Sequence, residues 1–161
     1  MHYPSIAAIV ATTLLAVSAH AQQPDPRKLK DQLTGDSRAS ASANPQCKLF
    51  TQAEISALVG ARLGPGANAA GATGCSWTDK DYDSSALVQV VPARFFPEPH
   101  LVKGFRRLPG IGTKAWVAPD ADWSAGALVD TEAVVVALRG TKATEASAIA
   151  LLQEVIKRRK R

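Results

Sequence analysis

The sequence predicts an α+β domain in which an antiparallel sheet of about five to six short strands carries an N-terminal and a C-terminal helix on one face. Residues 47–161 begin and end with well-capped amphipathic helices, and short apolar segments separated by polar turns lie between them. The chain has 161 residues, of which 46% are hydrophobic, which suits one globular domain. Long apolar spans, heptads and a G-X-Y period are absent from the sequence, which excludes polytopic membrane, coiled-coil and collagen-like classes.

Residues 1–21 are predicted to be a signal peptide. The apolar run Ile6–Val17 has the length of an h-region, and Ala19 and Ala21 occupy the small-residue positions of a cleavage site. The alternative, a buried N-terminal helix, is disfavoured by Pro4 and by the polar segment that follows the run. We therefore expect a periplasmic or secreted protein.

Residues 22–46 are predicted to be a flexible polar tether. This segment is rich in Gln, Pro, Ser, Ala, Asp and Lys and has almost no large apolar side chain. Such a composition buries too little surface to offset the entropy of ordering the chain. Residues 47–161 then form the single folded domain.

Two cysteines, Cys47 and Cys75, follow the leader. In an exported protein an even pair is most simply a disulfide. Closing the intervening loop would remove about 3.5 kcal/mol of unfolded-state freedom on the chain-entropy model. Two free buried thiols are the alternative, whereas the spacing matches no zinc pattern.

The first helix begins after a capping box formed by Thr51 and Glu54. An apolar stripe within Ile55–Val59 follows, and Gly60 is placed to end the helix.

The strands are predicted from alternation and β-branched content. The Gly/Ala-rich run Gly64–Gly74 is predicted to be a loop, and His100–Arg107 to contain one or two helical turns. Ala133–Leu138 is apolar throughout, which favours a central strand covered on both sides. The predicted strands are Cys75–Thr78, Ala86–Val91, Thr113–Val117, Gly126–Asp130 and Ala133–Leu138, with Thr131 and Glu132 at the last turn.

The last element is predicted to be a helix over about Thr144–Lys157. Glu145 in its first turn and basic residues in its last turn favour the helix dipole. Its apolar stripe consists of Ala148, Leu151, Leu152, Val155 and Ile156.

Three runs, Cys47–Gly60, Gly74–Trp77 and Leu108–Trp116, resemble a family of small exported bacterial domains of unknown function. The family pattern is C-x-L-[LF]-T-x-x-E-[IV], then G-C-x-W, then a G-[IL]-G-x-x-A-[FWY] turn and a terminal helix. Many members are lipoproteins, but this chain lacks a lipobox cysteine. The resemblance implies a Cys47–Cys75 bridge and a helix–sheet–helix domain, and it implies no particular activity.

The sequence contains no recognisable catalytic constellation, so we expect a non-enzymatic protein without metal or cofactor. After removal of the leader His100 is the one histidine, and no nucleophile elbow is present. The D-x-D-x-D run Asp79–Asp83 lacks the glycine and glutamate of a calcium loop, and a polar hairpin turn explains it better. The Gly110–Gly112 run is followed by a predicted strand, which excludes a nucleotide loop.

Several residues are candidate partner contacts. Trp123 lies in a polar loop, where it would be exposed for contact or packed over the end of the sheet. The C-terminal tail accounts for the whole net charge of +5 and would give weak contact with anionic membranes, or a solvated helix end. Nucleic acid is not expected as a partner. The candidates are Trp123, Arg106 and Arg107, and the tail comprises Lys157, Arg158, Arg159, Lys160 and Arg161.

These observations favour an exported, non-enzymatic binding module that contacts an envelope protein or ligand. The contact surface would be the sheet face left open by the helices, or the loop around Trp123. Two alternatives stay open: an inhibitor or immunity-type protein directed at a secreted enzyme, and a hydrolase with a scattered site that includes His100.

Overall fold

A computed structural model describes residues 41–120 and 122–160. The predicted leader, residues 1–21, and most of the predicted tether lie outside this part of the chain. The helices are α1 (Gln52–Val59) and α2 (Glu145–Arg159). The strands are β1 (Ala67–Ala69), β2 (Gly74–Thr78), β3 (Ser85–Pro92), β4 (Arg106–Arg107), β5 (Lys114–Ala118), β6 (Trp123–Val129) and β7 (Glu132–Arg139).

The predicted α+β class and antiparallel sheet are confirmed, but the strand count was too low. The sheet has seven strands in the order β1-β2-β3-β7-β6-β5-β4, and every neighbouring pair is antiparallel. The two additional strands lie at the edges. β1 falls within the run predicted to be a loop, and β4 falls within the segment predicted to be helical.

Both helices begin where the capping signals place them. Thr51 Oγ1 accepts a hydrogen bond from the Glu54 amide at 3.2 Å, and a Glu54 carboxylate oxygen accepts one from the Thr51 amide at 2.7 Å. Gly60 takes the left-handed conformation, with φ of +72°, and ends α1. Thr144 caps α2 through an equivalent exchange of hydrogen bonds with Ser147.

β7 is the middle strand of the seven, as its apolar sequence predicted. Its hairpin with β6 turns at Asp130 and Thr131, one residue earlier than expected. Asp130 has a φ of +52°, a conformation that aspartate tolerates in turns, so the strand already begins at Glu132.

The core lies between the sheet and both helices, on one face. α2 contacts β5, β6 and β7, while α1 contacts β3 and α2. Alternate residues of the strands point to this face and join the buried stripe of α2. The largest fully buried side chains are Trp77, Ile55, Leu63, Leu138, Leu151 and Leu152.

The disulfide between Cys47 and Cys75 is present and joins the segment before α1 to β2. It indicates an oxidising, extracytoplasmic environment. Asn44 is also buried, and its side-chain amide donates to Asn68 Oδ1 at 2.8 Å and to the Gly74 carbonyl at 2.9 Å. These bonds hold Asn44, which lies within the segment predicted to be a tether, against β1 and β2.

Within the described ranges, no helix combines the length and the apolar character needed to cross a bilayer.

Candidate functional site

The face of the sheet opposite the helices, here called the outer face, is organised around Trp116. This residue lies between Ala115 and Val117, which both belong to the core beneath the helices, so its side chain projects to the outer face. The neighbouring strand carries Gly126 opposite Trp116. A Cβ at position 126 would lie 2.7 Å from Trp116 Cε2, so only glycine leaves room for the indole.

The connection between β3 and β4, residues 93–105, covers this indole and is here called the strap. The Phe105 ring centroid is 6.3 Å from that of Trp116, and His100 packs edge-on against Phe105 at 5.1 Å. Trp116 is only 3% exposed as a result. The outer face is therefore not open at this position, and the strap forms a third layer over it.

Glu98 anchors the strap to the sheet. Its side chain is 17% exposed, and its carboxylate lies 3.4 Å from Arg107 Nη2 on β4 and 3.8 Å from Lys114 Nζ on β5. His100 Nε2 lies 3.5 Å from the same carboxylate. One partly buried acid therefore joins three basic side chains and fixes the strap against β4 and β5.

A cavity of about 260 Å³ lies between the strap and the β4–β5 hairpin. Aromatic and aliphatic side chains line its inner part, while one acid and two bases stand at the same site. Such a mixture of apolar walls and a few charged groups is typical of ligand sites. The lining includes Phe96, Glu98, Arg107, Leu108, Lys114 and Trp116.

The strap also exposes large apolar side chains. Leu101 is fully exposed, and Phe95 is 59% exposed with the Arg94 guanidinium 4.6 Å from its ring centroid. Three large apolar residues are exposed in the described part of the chain, and only the third, Tyr82, lies elsewhere. Two of these three residues therefore lie within six positions of each other on the strap.

Two buried polar atoms on the outer face have no hydrogen-bond partner among the described residues. They are Trp116 Nε1 and Ser124 Oγ. Among the described residues, Gln46 Oε1 is the third buried side-chain atom without a hydrogen-bond partner. A buried polar group without a partner costs about 1–3 kcal/mol. The outer face beneath the strap is therefore less well satisfied than the face beneath the helices.

The structure separates the three predicted contact residues. Trp123 is the first residue of β6, is half-buried and packs against the core. Arg106 forms an ion pair with Glu145 at the start of α2. Only Arg107, through Glu98, takes part in the strap site.

Two arginines of the basic tail, Arg158 and Arg159, are engaged within the protein. Arg158 donates to the Leu49 carbonyl at 2.5 Å, to Glu54 at 3.0 Å and to Glu154 at 2.8 Å, and its guanidinium lies 4.4 Å from the Phe50 ring centroid. Elsewhere in the tail, Arg159 pairs with Glu132, Lys157 lies 3.4 Å from Glu154, and Arg161 lies outside the described residues.

These contacts shift the titration of the groups involved. The Arg158 hydrogen bond, helped by the Thr51 backbone amide, lowers the pKa of Glu54 to about 2. Arg158 also lowers the pKa of Glu154, and the two carboxylates raise the pKa of Arg158 in turn. Arg158 is thus a permanently charged link between α1 and α2.

The remaining candidate motifs have structural explanations. The Asp79 carboxylate accepts backbone hydrogen bonds from Asp83 and Ser84, both at 3.0 Å, as in a polar hairpin turn. In residues 41–120 and 122–160, no cluster of three or more His, Cys, Asp or Glu side chains is arranged to hold a metal ion.

The sequence drew attention to Arg107 but missed Phe95, Glu98, Leu101 and Lys114. Pro97 and Pro99 lie within the strap and restrict its backbone. Comparisons with family models, curated proteins and solved structures find no match to this chain.

Proposed function

We propose that this protein is an exported, non-enzymatic binding module of the cell envelope, and that the strap is its recognition surface. The observation that carries the proposal is the exposure of Leu101 and Phe95 on a segment fixed to the sheet by Glu98. Because the Glu98 contacts hold the strap against the sheet, the strap would lose less entropy on binding than a loop without such contacts. The disulfide supports export, and the predicted leader would direct it to the periplasm or the medium.

The proposed partner is a polypeptide that presents an apolar side chain next to a carboxylate. The cavity of about 260 Å³ is of a size that suits one side chain rather than a larger ligand. Arg107 and Lys114 share the Glu98 carboxylate, but their side chains remain 72% and 62% exposed, so a carboxylate of the partner can also reach them. Leu101 lies on the exposed side of the strap, so a partner that contacts both must be broader than a small molecule.

The chemistry at the cavity supports binding rather than catalysis. Thr113 supplies the hydroxyl in its lining, and this group donates to the Leu128 carbonyl at 3.2 Å. The Glu98 carboxylate is already paired with cations. Neither group is arranged as a nucleophile with its base.

A capture experiment with matched variants tests the proposal. The exported form serves as bait in an envelope extract, beside Leu101→Ser and Arg107→Gln and two controls, Tyr82→Ser and Lys80→Gln, in the β2–β3 turn. We expect one protein to be retained by the original and control forms, lost with both strap variants, and bound again after its own purification. Equal retention by all five forms, or retention by none, would reject the strap as a recognition surface.

An inhibitor or immunity-type role is a second candidate for the same surface. The fully exposed Leu101 in a disulfide-stabilised domain favours it, because a protruding side chain can occupy the cleft of an enzyme. In that case the captured protein is a secreted enzyme. The original form then inhibits it, and Leu101→Ser does not.

A further inference from the structure

We propose a second interaction surface, which docks this protein onto an anionic membrane with one end of the sheet facing the lipid. This basal surface consists of the 3₁₀ turn Ala93–Phe95, which is the beginning of the strap and is shared with it, the β4–β5 turn and the end of α2. Its cations and apolar side chains are Arg94, Phe95, Pro109, Ile111, Lys157 and Lys160.

The three segments meet at the end of the sheet that carries the β6–β7 turn. The Ala93 amide donates to the Thr131 carbonyl at 2.9 Å, which places the 3₁₀ turn beside this hairpin. Arg159 of α2 pairs with Glu132, the first residue of β7. The end of α2 and the 3₁₀ turn therefore both adjoin the same hairpin.

Two cavities connect the end of α2 with the β6–β7 turn and with the β4–β5 turn. One, of about 180 Å³, lies between the β6–β7 turn and the end of α2. The other, of about 440 Å³, lies between α2 and the Gly110–Gly112 run of the β4–β5 turn. Ile156 and Lys160 border both cavities, and Ile111 and Lys157 line the larger one. Half-buried isoleucines thus alternate with lysines across this end of the molecule.

The lysines of the basal surface are available for binding, whereas the arginines of α2 are already paired. Arg158 and Arg159 are held by carboxylates of the protein itself. Lys157 lies 3.4 Å from Glu154 but its side chain is 61% exposed, and Lys160 forms no ion pair with any described residue. Arg94 is exposed as well, and Asp130 is the exposed acid at this end.

The opposite end of the sheet is slightly acidic. The β2–β3 and β5–β6 turns there carry Asp79, Asp81, Asp83, Asp120 and Asp122. Four basic residues at the same end, Arg62, Lys80, Arg139 and Lys142, offset most of this charge. An extended anionic plane attracts one end of such a molecule and repels the other, which sets its orientation.

A membrane fits this arrangement better than an acidic protein does. Cations dispersed over three segments, together with the exposed Phe95 ring and the shallow Ile111 side chain, are the combination that interfacial binding uses. The docked orientation turns the acidic end away from the lipid.

Binding of the exported form to vesicles, measured at low and at high salt concentration, tests the proposal. The probes are vesicles of phosphatidylcholine with phosphatidylglycerol, and vesicles of phosphatidylcholine alone. We expect binding to the anionic vesicles only, weakening as salt rises. Lys157→Gln combined with Lys160→Gln should weaken it about 30-fold, since each cation near the surface contributes about fivefold.

Two kinds of control distinguish binding through the basal surface from an effect of net charge and from binding through Leu101 of the strap. Lys80→Gln combined with Lys142→Gln removes the same charge at the opposite end and should change binding by less than about twofold. Phe95→Ser should weaken binding, whereas Leu101→Ser should not. Equal loss with both lysine pairs would reduce the effect to net charge and overturn the proposal. Lysine-dependent retention of polyglutamate without vesicle binding would overturn it in favour of an acidic polypeptide.

Discussion

At the level of single residues, the outer face depends on the fit of Trp116 over Gly126. The indole occupies space that any side chain at position 126 would fill, and Phe105 covers it from the strap. Ser124, two residues before Gly126 on the same face of β6, is buried with its hydroxyl unpartnered. Removing a polar group that has no partner relieves the cost of its burial.

We therefore expect Ser124→Ala to leave the free energy of unfolding unchanged or to raise it by up to about 1 kcal/mol. Chemical denaturation monitored by tryptophan fluorescence measures this difference. A loss of more than about 1 kcal/mol would show that the hydroxyl has a partner, such as a bound water.

The pKa of Glu54 provides a second test at this scale. With Arg158 and the Thr51 amide in place, the carboxyl should titrate at about pH 2, below its ordinary value of about 4.3. The stabilisation linked to this shift is present above about pH 4.3 and is lost as the pH falls towards 2. Carbon NMR of the side-chain carboxyl follows the titration, and Arg158→Gln should return it towards the ordinary value. An ordinary pKa in the original protein would contradict the ion pair.

At the level of elements, Arg158 connects the two helices. It reaches from the last turn of α2 to Glu54 in the first turn of α1 and to the Leu49 carbonyl just before it. Its guanidinium also stacks on the Phe50 ring. Sequence patterns indicate the positive charge at the end of α2, but they do not indicate that Arg158 donates to a carbonyl far away in the sequence. The tail was therefore interpreted as a surface feature.

We expect Arg158→Gln to lower the free energy of unfolding by about 1–2 kcal/mol, because charge-assisted hydrogen bonds and a cation–π contact are lost together. Lys160→Gln, two residues away, serves as the control and should change it by less than about 0.5 kcal/mol. Urea denaturation of both variants compares them directly. Equal effects would show that Arg158 acts only through net charge.

The sequence predicted the elements whose signals are local. Thr51, Glu54 and Gly60 mark the bounds of α1 through short-range hydrogen bonds and backbone conformation, and five strands follow from alternation. β1, with the sequence Ala-Asn-Ala, lacks a β-branched residue and exists because β2 pairs with it. β4 has two exposed arginines and depends likewise on β5. Each edge strand depends on pairing with the next strand along the chain, and its own residues carry no pattern from which it could be predicted.

The strap site was predicted only in part for a related reason. Arg107 was a candidate because of its charge, but its role depends on Glu98 and Lys114, which come from different segments. The sequence also could not tell which face of β5 the Trp116 side chain occupies relative to the helices. Trp123, the more polar-flanked tryptophan, instead packs against the core.

At the level of the whole molecule, the disulfide holds the segment before α1 against the sheet. It joins cysteines separated by 28 positions, and Asn44 reinforces the same junction through hydrogen bonds to Asn68 and Gly74. The loop closed by this bond contains α1 and β1. Without the bond, this whole loop would therefore gain conformational freedom in the unfolded state.

We expect the double variant Cys47→Ser with Cys75→Ser to unfold with a free energy lower by about 3.5 kcal/mol, as chain entropy predicts for this loop. Denaturation of the oxidised original protein provides the comparison. Mass spectrometry after alkylation without reductant should find no modified cysteine in the original protein. Two alkylated thiols would contradict both the bond and the extracytoplasmic location.

Site-specific photo-crosslinking in cells shows whether the strap recognises a partner. A photoreactive amino acid replaces Leu101 in one form and Tyr82, in the β2–β3 turn, in the other. We expect a discrete adduct with one envelope or secreted protein from position 101 and none from position 82. The absence of an adduct at position 101, or the same adducts from both positions, would contradict it.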